Sequence, residues 1–387
     1  MNGTIYMPVG EVCSSISDTY REKKNMVTLI NTSDVLEGRV LNHERVPNSN
    51  LKGQFKKTFQ RDDILYSEIR PQNRRFAYVD FSPIDYIAST KLMVIRAKKD
   101  VVSPKYLYYF LKNSSTVAEL QLLAETRSGT FPQITFSEVA NLTIPVPSLA
   151  VQEVIVQTMQ CLEDKITCNE QINDNLQQQA FSVFDNLIAN AENNDYTVSD
   201  YAFLNPKRTL AKNQVARSID MSQLSTSGAF PSGWEMKPFN GGMRFTNGDT
   251  LLARITPCLE NGKTAFIDFL DDGEVAFGST EYIVLAPKND TPPEMLYCLA
   301  RYPAFVDYAV KNMNGSSGRQ RVSAETVGQY RLPLFEKHSL VLFKEVVSPM
   351  FLKMRYNSLE NMRLAELRDA LLPKLMSGEI DVSAVQL

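Results

Sequence analysis

The side chains that could do chemistry in this sequence are mainly arginines and amides gathered in short polar loops. The first loop, Arg70–Arg75, reads RPQNRR and follows an apolar segment. Arginine can bind guanine through two hydrogen bonds, and asparagine or glutamine can bind adenine in the same way. A solvated hairpin loop is the alternative. We favour DNA contact because a corresponding loop later in the chain is also polar but differs in sequence and length.

A second pair of loops, Arg127–Gln133 and Asn314–Arg321, combines glycine and serine with arginine. Small residues let a backbone approach phosphate closely, and arginine adds positive charge. A flexible connector is an equal alternative for the first of these loops, whereas Arg319 and Arg321 favour DNA contact for the second. Lys91 stands in a Ser-Thr-Lys segment matched later by Ser-Thr-Glu, and either faces DNA or has a structural role. The candidate DNA contacts are Arg70, Gln72, Asn73, Arg74, Arg75, Lys91, Arg127, Ser128, Thr130, Gln133, Arg254, Lys263, Arg319, Gln320 and Arg321.

The sequence contains no convincing catalytic constellation. Gly262-Lys263-Thr264 resembles the end of a P-loop, but Pro257 stands where that motif requires glycine, and proline has no amide for a phosphate. Lys263 is therefore a candidate contact to DNA phosphate instead. Only two histidines are present, at no spacing typical of metal ligands, so a zinc site built from histidine is excluded. We predict a binding subunit that is not an enzyme and holds no metal.

The elements that must position these loops are duplicated. Asp63–Pro71 reads DILYSEIRP, and Asp249–Pro257 reads DTLLARITP. Other matches, such as Leu107-Tyr108 with Leu296-Tyr297, lie at similar offsets of 186 to 190 positions. The matched segments are apolar and rich in β-branched or aromatic residues. We therefore interpret them as strands shared by two similar lobes.

A helical stretch follows each copy of the repeat. Apolar residues recur every three or four positions along Ile155–Leu187 and again along Phe343–Leu375, 188 positions later. This period is typical of a coiled-coil seam, in which asparagine fixes the register of the helices. The seam asparagines are Asn169, Asn173, Asn357 and Asn361. We predict an antiparallel coiled coil with pseudo-two-fold symmetry, rather than two ordinary core-facing helices, and a kink or a new start at Pro349 and Pro373.

Length and composition set the remaining expectations. The 387 residues divide into a first lobe (1–147), a central helix (148–190), a second lobe (191–334) and a C-terminal helix (335–387). A net charge of −3 is unlike that of a free-standing nucleic-acid binder, although local basic clusters or a partner subunit can supply charge. The five cysteines form no CxxC pair, and there is no signal peptide and no apolar run of about 18 residues. We expect a cytoplasmic protein without a membrane partner.

Taken in order, these features resemble the specificity subunit of type I restriction–modification systems. The resemblance covers nearly all of the chain. In the first lobe it includes Val9–Val12 and Leu29–Gly38, and in the second Asn247–Lys263 and Gly278–Tyr282. The segment Leu371–Ile380 is also similar to the family. Each short segment is weakly specific, but the ordered and doubled series is highly specific.

The resemblance implies a mixed α/β (α+β) fold in which each lobe is a target recognition domain. Each domain would read half of a bipartite, asymmetric site in double-stranded DNA, and the helices would act as a ruler about 50–60 Å long. Two methyltransferase subunits would dock on the lobes and helices, and restriction/translocase subunits would join through them. The complex would methylate adenine N6 and cleave DNA with ATP. This chain would bind no cofactor, since S-adenosylmethionine, ATP and Mg²⁺ belong to the partners.

A second hypothesis comes from a different functional class. The chain could be a two-lobed scaffold that binds proteins through its helices and has no role in reading DNA. The acidic pI of about 5.7 favours this hypothesis slightly. Salt-dependent binding of the partner complex to duplex DNA would separate the two hypotheses.

Overall fold

The computed structural model describes residues 4–48, 53–127, 130–191, 195–316 and 318–382. Internal contacts divide the chain into two compact units. Unit 1 comprises Met1–Glu163 with Ala365–Leu387, and unit 2 comprises Asp164–Leu364. Both boundaries fall inside the long helices described below, so each unit contains part of both helices.

Unit 1 is built from short strands and helices. Its strands are β1 (Ile5–Pro8), β2 (Cys13–Ile16), β3 (Met26–Ile30), β4 (Val35–Leu36), β5 (Arg39–Val40), β6 (Val46–Pro47), β7 (Phe55–Lys57), β8 (Ile64–Ser67), β9 (Phe76–Tyr78), β10 (Tyr86–Ser89), β11 (Leu92–Ala97) and β12 (Thr143–Val146). Its helices are α1 (Val9–Val12), α2 (Pro104–Lys112), α3 (Ser114–Arg127) and α4 (Phe136–Asn141), followed by the long α5 (Leu149–Ala189).

Unit 2 has an equivalent series of elements. Its strands are β13 (Tyr196–Thr197), β14 (Ala202–Leu204), β15 (Val215–Ile219), β16 (Glu235–Pro238), β17 (Met243–Phe245), β18 (Thr250–Ala253), β19 (Thr264–Phe266), β20 (Ala276–Gly278), β21 (Tyr282–Pro287) and β22 (Arg331–Leu332). Its helices are α6 (Val198–Tyr201), α7 (Pro293–Arg301), α8 (Pro303–Lys311) and α9 (Ala324–Gly328), followed by the long α10 (Lys337–Ser377).

The two units share one sheet topology. Unit 1 contains sheets of order β2-β11-β8-β9 and β6-β3-β10-β7 and the pair β1-β12, and it adds the hairpin β4-β5. Unit 2 contains β14-β21-β18-β19, β16-β15-β20-β17 and β13-β22. The parallel pairing of β3 with β10 recurs as that of β15 with β20, and the other pairings within these sheets are antiparallel. The predicted two similar α/β lobes, each followed by a long helix, are confirmed.

The strands of the repeated segment lie between two cores. In β8, Ile64 and Tyr66 belong to the core under the helices, whereas Leu65 belongs to the core shared with the second sheet. In β18, Leu252 and Leu251 divide in the same way. Because successive side chains of a strand point to opposite faces, a strand buried on both faces reads as a continuous apolar run. This explains why the segment is the clearest repeat in the sequence.

One part of the strand prediction is wrong. Leu107-Tyr108 and its repeat Leu296-Tyr297 lie in the helices α2 and α7. Each helix begins with a proline in its first turn, a position where proline's missing N–H is not needed. The aromatic residues that suggested a strand are buried on these short helices, so tertiary burial accounts for them.

The helix α10 continues through both of its prolines and does not begin afresh at either one. Proline inside a helix removes one hydrogen bond and costs about 3 kcal/mol. Buried apolar residues flank each proline and offset that cost: Val347 and Phe351 near Pro349, and Leu372, Leu375 and Met376 near Pro373. Among the described residues, no helix combines the length and the hydropathy that crossing a membrane requires.

Two neighbouring valines of α10 provide a matched test of the unit 2 core. Val347 is fully buried, whereas Val346 is 48% exposed. We expect Val347→Ala to lower the free energy of unfolding by about 1–3 kcal/mol, because it removes buried methyl groups and leaves a cavity. Val346→Ala should change it by less than about 0.5 kcal/mol, since alanine is also the better helix former. Urea unfolding followed by circular dichroism measures both, and equal losses would contradict the assigned burial.

Candidate nucleic-acid interface

A frame of backbone hydrogen bonds holds the predicted DNA-contacting segments of unit 1 together. The amide of Glu68, just after β8, donates to the carbonyl of Lys91 in the β10–β11 turn (3.0 Å). The amide of Ile134 donates to the carbonyl of Glu68 (2.9 Å), and the amide of Arg70 donates to the carbonyl of Pro132 (3.1 Å). Three segments that are far apart in sequence therefore meet at one place.

The same frame recurs in unit 2. The amide of Arg254 donates to the carbonyl of Glu281 (3.0 Å), that of Val322 to Arg254 (3.0 Å), and that of Thr256 to Gln320 (3.1 Å). These positions correspond, through the repeat, to those of unit 1. The two frames agree because backbone groups make the bonds whatever side chains they carry. Equivalent side chains can therefore differ without disturbing the frame.

The side chains on the unit 1 frame form a polar group that we call cluster 1: Glu68, Lys91 and Gln133. Lys91 is at the centre, where its Nζ donates to Oε2 of Glu68 (3.4 Å) and to Oε1 of Gln133 (3.3 Å). The lysine side chain is 49% exposed and that of Glu68 is 20% exposed, so water reaches the cluster. The structure thus brings together two of the predicted DNA contacts and adds an acidic residue.

Cluster 2 consists of the equivalent residues of unit 2, which are Arg254, Glu281 and Arg321. The first two reverse the charges of Glu68 and Lys91, and Arg321 replaces the neutral Gln133. Glu281 is at the centre and accepts from Nε of Arg254 (3.2 Å). It also accepts from Nε of Arg321 (2.9 Å) and from NH2 of Arg321 (2.7 Å). The hydrogen bonds from Arg321, and then those from Arg254, hold the pKa of the Glu281 carboxyl below its usual range. Glu281 is therefore ionised at neutral pH.

Glu68 and Glu281 are the residues that the sequence analysis did not select. A signal for Glu281 was present, because Ser-Thr-Glu in the second copy replaces Ser-Thr-Lys in the first. In both copies the serine hydroxyl accepts a hydrogen bond from the backbone amide two residues on, Lys91 (3.3 Å) or Glu281 (3.1 Å). The turn is thus built alike in both units, and only its last side chain changes sign.

The Arg70–Arg75 loop contains three exposed candidates, which are Arg70, Gln72 and Asn73. Arg70 has a left-handed backbone with φ of 44°, and the 3₁₀ turn Pro71–Asn73 follows it. The amide of Gln72 donates to the side chain of Gln121 in α3 (3.2 Å). The loop is therefore anchored through its backbone while these three side chains face solvent.

Arg74 and Arg75 are held differently from the rest of that loop. Arg74 donates to Oγ of Ser114 at the start of α3 (2.8 Å), and Arg75 donates to the carbonyl of Ser33 (2.9 Å). Both guanidinium groups are partly buried and tie the loop to other segments of unit 1. The structure does not bring them to cluster 1.

Three further candidates stand in sequence at the end of α3 and just after it. Arg127, at the end of α3, donates to Oε1 of Glu138 in α4 (2.6 Å). Thr130 is exposed. Ser128, also a predicted DNA contact, lies outside the described residues.

The remaining candidates of unit 2 differ in their surroundings. Lys263 is partly buried, and its Nζ donates to the carbonyl of Met221 (2.7 Å), so it supports a neighbouring turn. Gln320 contributes its carbonyl to the frame, while Arg319 is exposed beside cluster 2. No group of three or more metal-binding side chains occurs within the described part of the chain.

The seam asparagines meet inside unit 2. Asn169 is fully buried, and its Nδ2 donates to Oε2 of Glu360 (2.7 Å) and to Oδ1 of Asn361 (2.8 Å). Asn357 is 1% exposed and donates to Oδ1 of Asn173 (2.8 Å). Residue numbers rise along α5 while those of the bonded partners fall along α10. The two helices therefore pack antiparallel in unit 2.

Comparison with known proteins agrees with this architecture. Residues 6–178 match the family model described as the type I restriction modification DNA specificity domain. The specificity subunit of the type I restriction enzyme HindI, from Haemophilus influenzae, is 29% identical over 92% of this chain and 94% of its own length. The EcoAI specificity subunit of Escherichia coli is 33% identical, over 33% of this chain and 22% of that protein.

The fold is also that of a solved structure. The crystal structure of a type I restriction–modification S subunit from M. genitalium matches with a TM-score of 0.53 at 16% identity. The match covers 97% of this chain and 96% of that one.

The repeated α/β unit, the polar clusters on its frame and the long helices form the architecture to which these similarities apply. Residues 6–178 match the domain of type I restriction–modification specificity subunits, and the chain is similar to one such subunit over 92% of its length.

Asn169 and Asn186 form a matched pair on α5, because the first is fully buried and the second is exposed. We expect Asn169→Ala to lower the free energy of unfolding by about 1–3 kcal/mol, since Glu360 and Asn361 lose a buried donor. Asn186→Ala should be neutral or slightly stabilising because alanine favours the helix. Thermal and urea unfolding of the full chain measure the difference. A loss no larger for Asn169→Ala than for Asn186→Ala would contradict the hydrogen-bonded seam.

Proposed function

We propose that this chain selects the DNA target of a type I restriction–modification complex, and that each unit reads one half of a bipartite, asymmetric site in double-stranded DNA. The supporting observation is the pair of clusters held on one backbone frame, with Lys91 at the centre of one and Glu281 at the centre of the other. Two half-sites of different sequence require different side chains at equivalent positions. Charged and amide side chains suit direct readout in the major groove.

Exposed cations next to the clusters suit a second task, which is binding of the DNA backbone. The amide of Arg70 donates to Pro132 in the frame, which places Arg70 beside cluster 1. The carbonyl of Arg319 accepts a hydrogen bond from Arg321, which places Arg319 beside cluster 2. Contacts of arginine to phosphate position a protein on DNA without carrying sequence information. In this proposal they supply affinity, and the clusters supply discrimination.

Other subunits would perform the chemistry of the complex. Two methyltransferase subunits would bind S-adenosylmethionine and methylate adenine N6, and restriction/translocase subunits would use ATP and Mg²⁺. This chain would bind none of these cofactors. The complex would work in the cytoplasm, where the five free cysteines would remain reduced.

An exposed apolar face on α10 supports docking of a methyltransferase subunit. The face consists of Leu342, Val346, Leu352 and Tyr356, which are 47%, 48%, 42% and 56% exposed. It lies on the side of the helix opposite Phe343 and Val347, which are buried in the core of unit 2. Contiguous exposed apolar side chains mark surfaces that bind proteins. We infer that a methyltransferase subunit covers this face.

The target itself can be found by mapping N6-methyladenine across the genome of a host that carries this chain and its neighbouring methyltransferase. We expect one gapped, asymmetric motif that disappears when only this chain is deleted. The complex should also bind duplex DNA with an affinity that falls steeply with salt, because counterions are released from phosphate. An unchanged methylation pattern with salt-independent binding would favour the alternative of a protein scaffold.

Charge on the apolar face should prevent docking. We expect the double variant Leu342→Glu/Tyr356→Glu to weaken binding to the purified methyltransferase by about 10-fold or more, because each carboxylate would be desolvated in the interface. Leu122→Glu is the control, since Leu122 is 63% exposed on α3 of unit 1. Surface plasmon resonance measures both affinities. Equal effects of the two changes would place the docking surface elsewhere.

A further inference from the structure

The two arginines of cluster 2 differ in which of their hydrogen-bond donors are free. Arg321 uses Nε and NH2 on Glu281, and its NH1 donates to the carbonyl of Arg319 (3.1 Å). Arg254 uses only Nε, which donates to Glu281 (3.2 Å). No hydrogen bond to a described residue engages NH1 or NH2 of Arg254. Its terminal edge is therefore available, and that of Arg321 is not.

The free edge of Arg254 has the geometry that guanine recognition requires. Two parallel N–H donors of a guanidinium match the O6 and N7 acceptors of guanine in the major groove. The Arg254 side chain is 33% exposed, so a base edge can approach it. The bond from Nε to Glu281 fixes the plane of the guanidinium before DNA arrives, which reduces the entropy lost on binding.

We propose that Arg254 reads a guanine in the half-site of unit 2, that Glu281 is its positioning residue, and that Arg321 holds Glu281 in place without contacting a base. The inference rests on the proposed function and makes it specific. It also revises the sequence expectation, which gave Arg254, Arg319 and Arg321 the same role. Arg319 is exposed and its side chain has no hydrogen bond to a described residue, so it suits phosphate rather than a base.

Cluster 1 presents the opposite hydrogen-bonding character at the equivalent position. Glu68 replaces Arg254 there, and Lys91 binds its Oε2 while no described residue hydrogen-bonds to Oε1. A free carboxylate oxygen accepts from the amino group of cytosine, and cannot pair with the acceptors of guanine. The reading residue is Arg254 in unit 2 and Glu68 in unit 1. The residue that holds it therefore also changes sign, from Glu281 to Lys91. This reversal gives the two half-sites different base preferences.

The test uses the full chain in complex with its methyltransferase, and the methylation motif of the wild type is mapped first. Arg254→Lys keeps the positive charge but removes the planar pair of donors. We expect it to relax discrimination at one guanine of one half-site by about 5- to 150-fold, and to leave the other half-site unchanged. Glu281→Gln should relax the same position, because a neutral amide oxygen holds the guanidinium less strongly than a carboxylate does. Arg321→Lys should relax it less than Arg254→Lys does.

Glu274→Gln is the matched control, because Glu274 forms an ion pair with Arg217 in the other sheet of unit 2. It should leave the motif unchanged. Discrimination between bases is the readout, since a loss of stability alone would lower methylation at every site. Thermal unfolding of each variant checks that it folds. If Glu281→Gln does not fold, Arg254→Lys alone is sufficient to test the proposal.

Several results would overturn the assignment. An unchanged motif with Arg254→Lys, relaxation in both half-sites, or a larger effect of Arg321→Lys than of Arg254→Lys would each reject Arg254 as the reading residue. A wild-type complex that produces no motif at all would instead reject the proposed function, and this inference with it.

Discussion

The constraint on which both units depend is the small set of backbone hydrogen bonds that joins the end of a central strand to a turn and to the loop after a helix. Glu68 with Lys91, and Arg254 with Glu281, are brought together by amides and carbonyls that every residue except proline possesses. The frame therefore survives a complete change of side-chain charge. Under the proposed function one fold would read two different half-sites, which requires this separation between the groups that build the site and the groups that read it.

The long helices differ from this frame, because side chains must specify which residues of the two helices face each other. Asn169 donates to Asn361 and to Glu360, and Asn357 donates to Asn173, so buried amides pair the two helices. A buried asparagine is satisfied only opposite a suitable partner, and a shift of register would leave it unpaired. The surrounding apolar residues stabilise the contact, and the asparagines determine which alignment is stabilised. Stability and specificity are thus supplied by different residues of the same helices.

The sequence predicted the elements that are repeated and missed what depends on distant partners. Two buried faces make β8 and β18 continuous apolar runs, and the 188-residue offset made the helices evident. By contrast, Leu107 and Tyr108 lie in a helix, where both are buried, although the local pattern predicted a strand. The continuity of α10 through Pro349 could not be predicted either, since packing on both sides outweighs the local penalty.

The candidate site shows the same limit at the level of single side chains. Residue type identified Lys91, Gln133, Arg254 and Arg321 as polar groups in equivalent loops. It could not reveal that Arg74 and Arg75 bind Ser114 and Ser33, which lie about 40 positions away in sequence. The change from Ser-Thr-Lys to Ser-Thr-Glu signalled Glu281, but residue type could not show that this side chain binds both Arg254 and Arg321. The direction of a long side chain is decided by acceptors that only the folded chain brings near.

Unit 1 combines early and late parts of the chain, which determines when it can finish folding during synthesis. Its core contains Leu372, Leu375, Met376 and Val382, together with residues from the first part of the chain such as Ile155 and Met159. A ribosome that adds about 5–20 residues per second needs roughly 10 to 45 seconds to pass from Glu163 to Val382. During that interval the nascent unit 1 exposes the apolar surface that the last part of α10 will cover. The half of the protein that is synthesised first is therefore the half that finishes folding last.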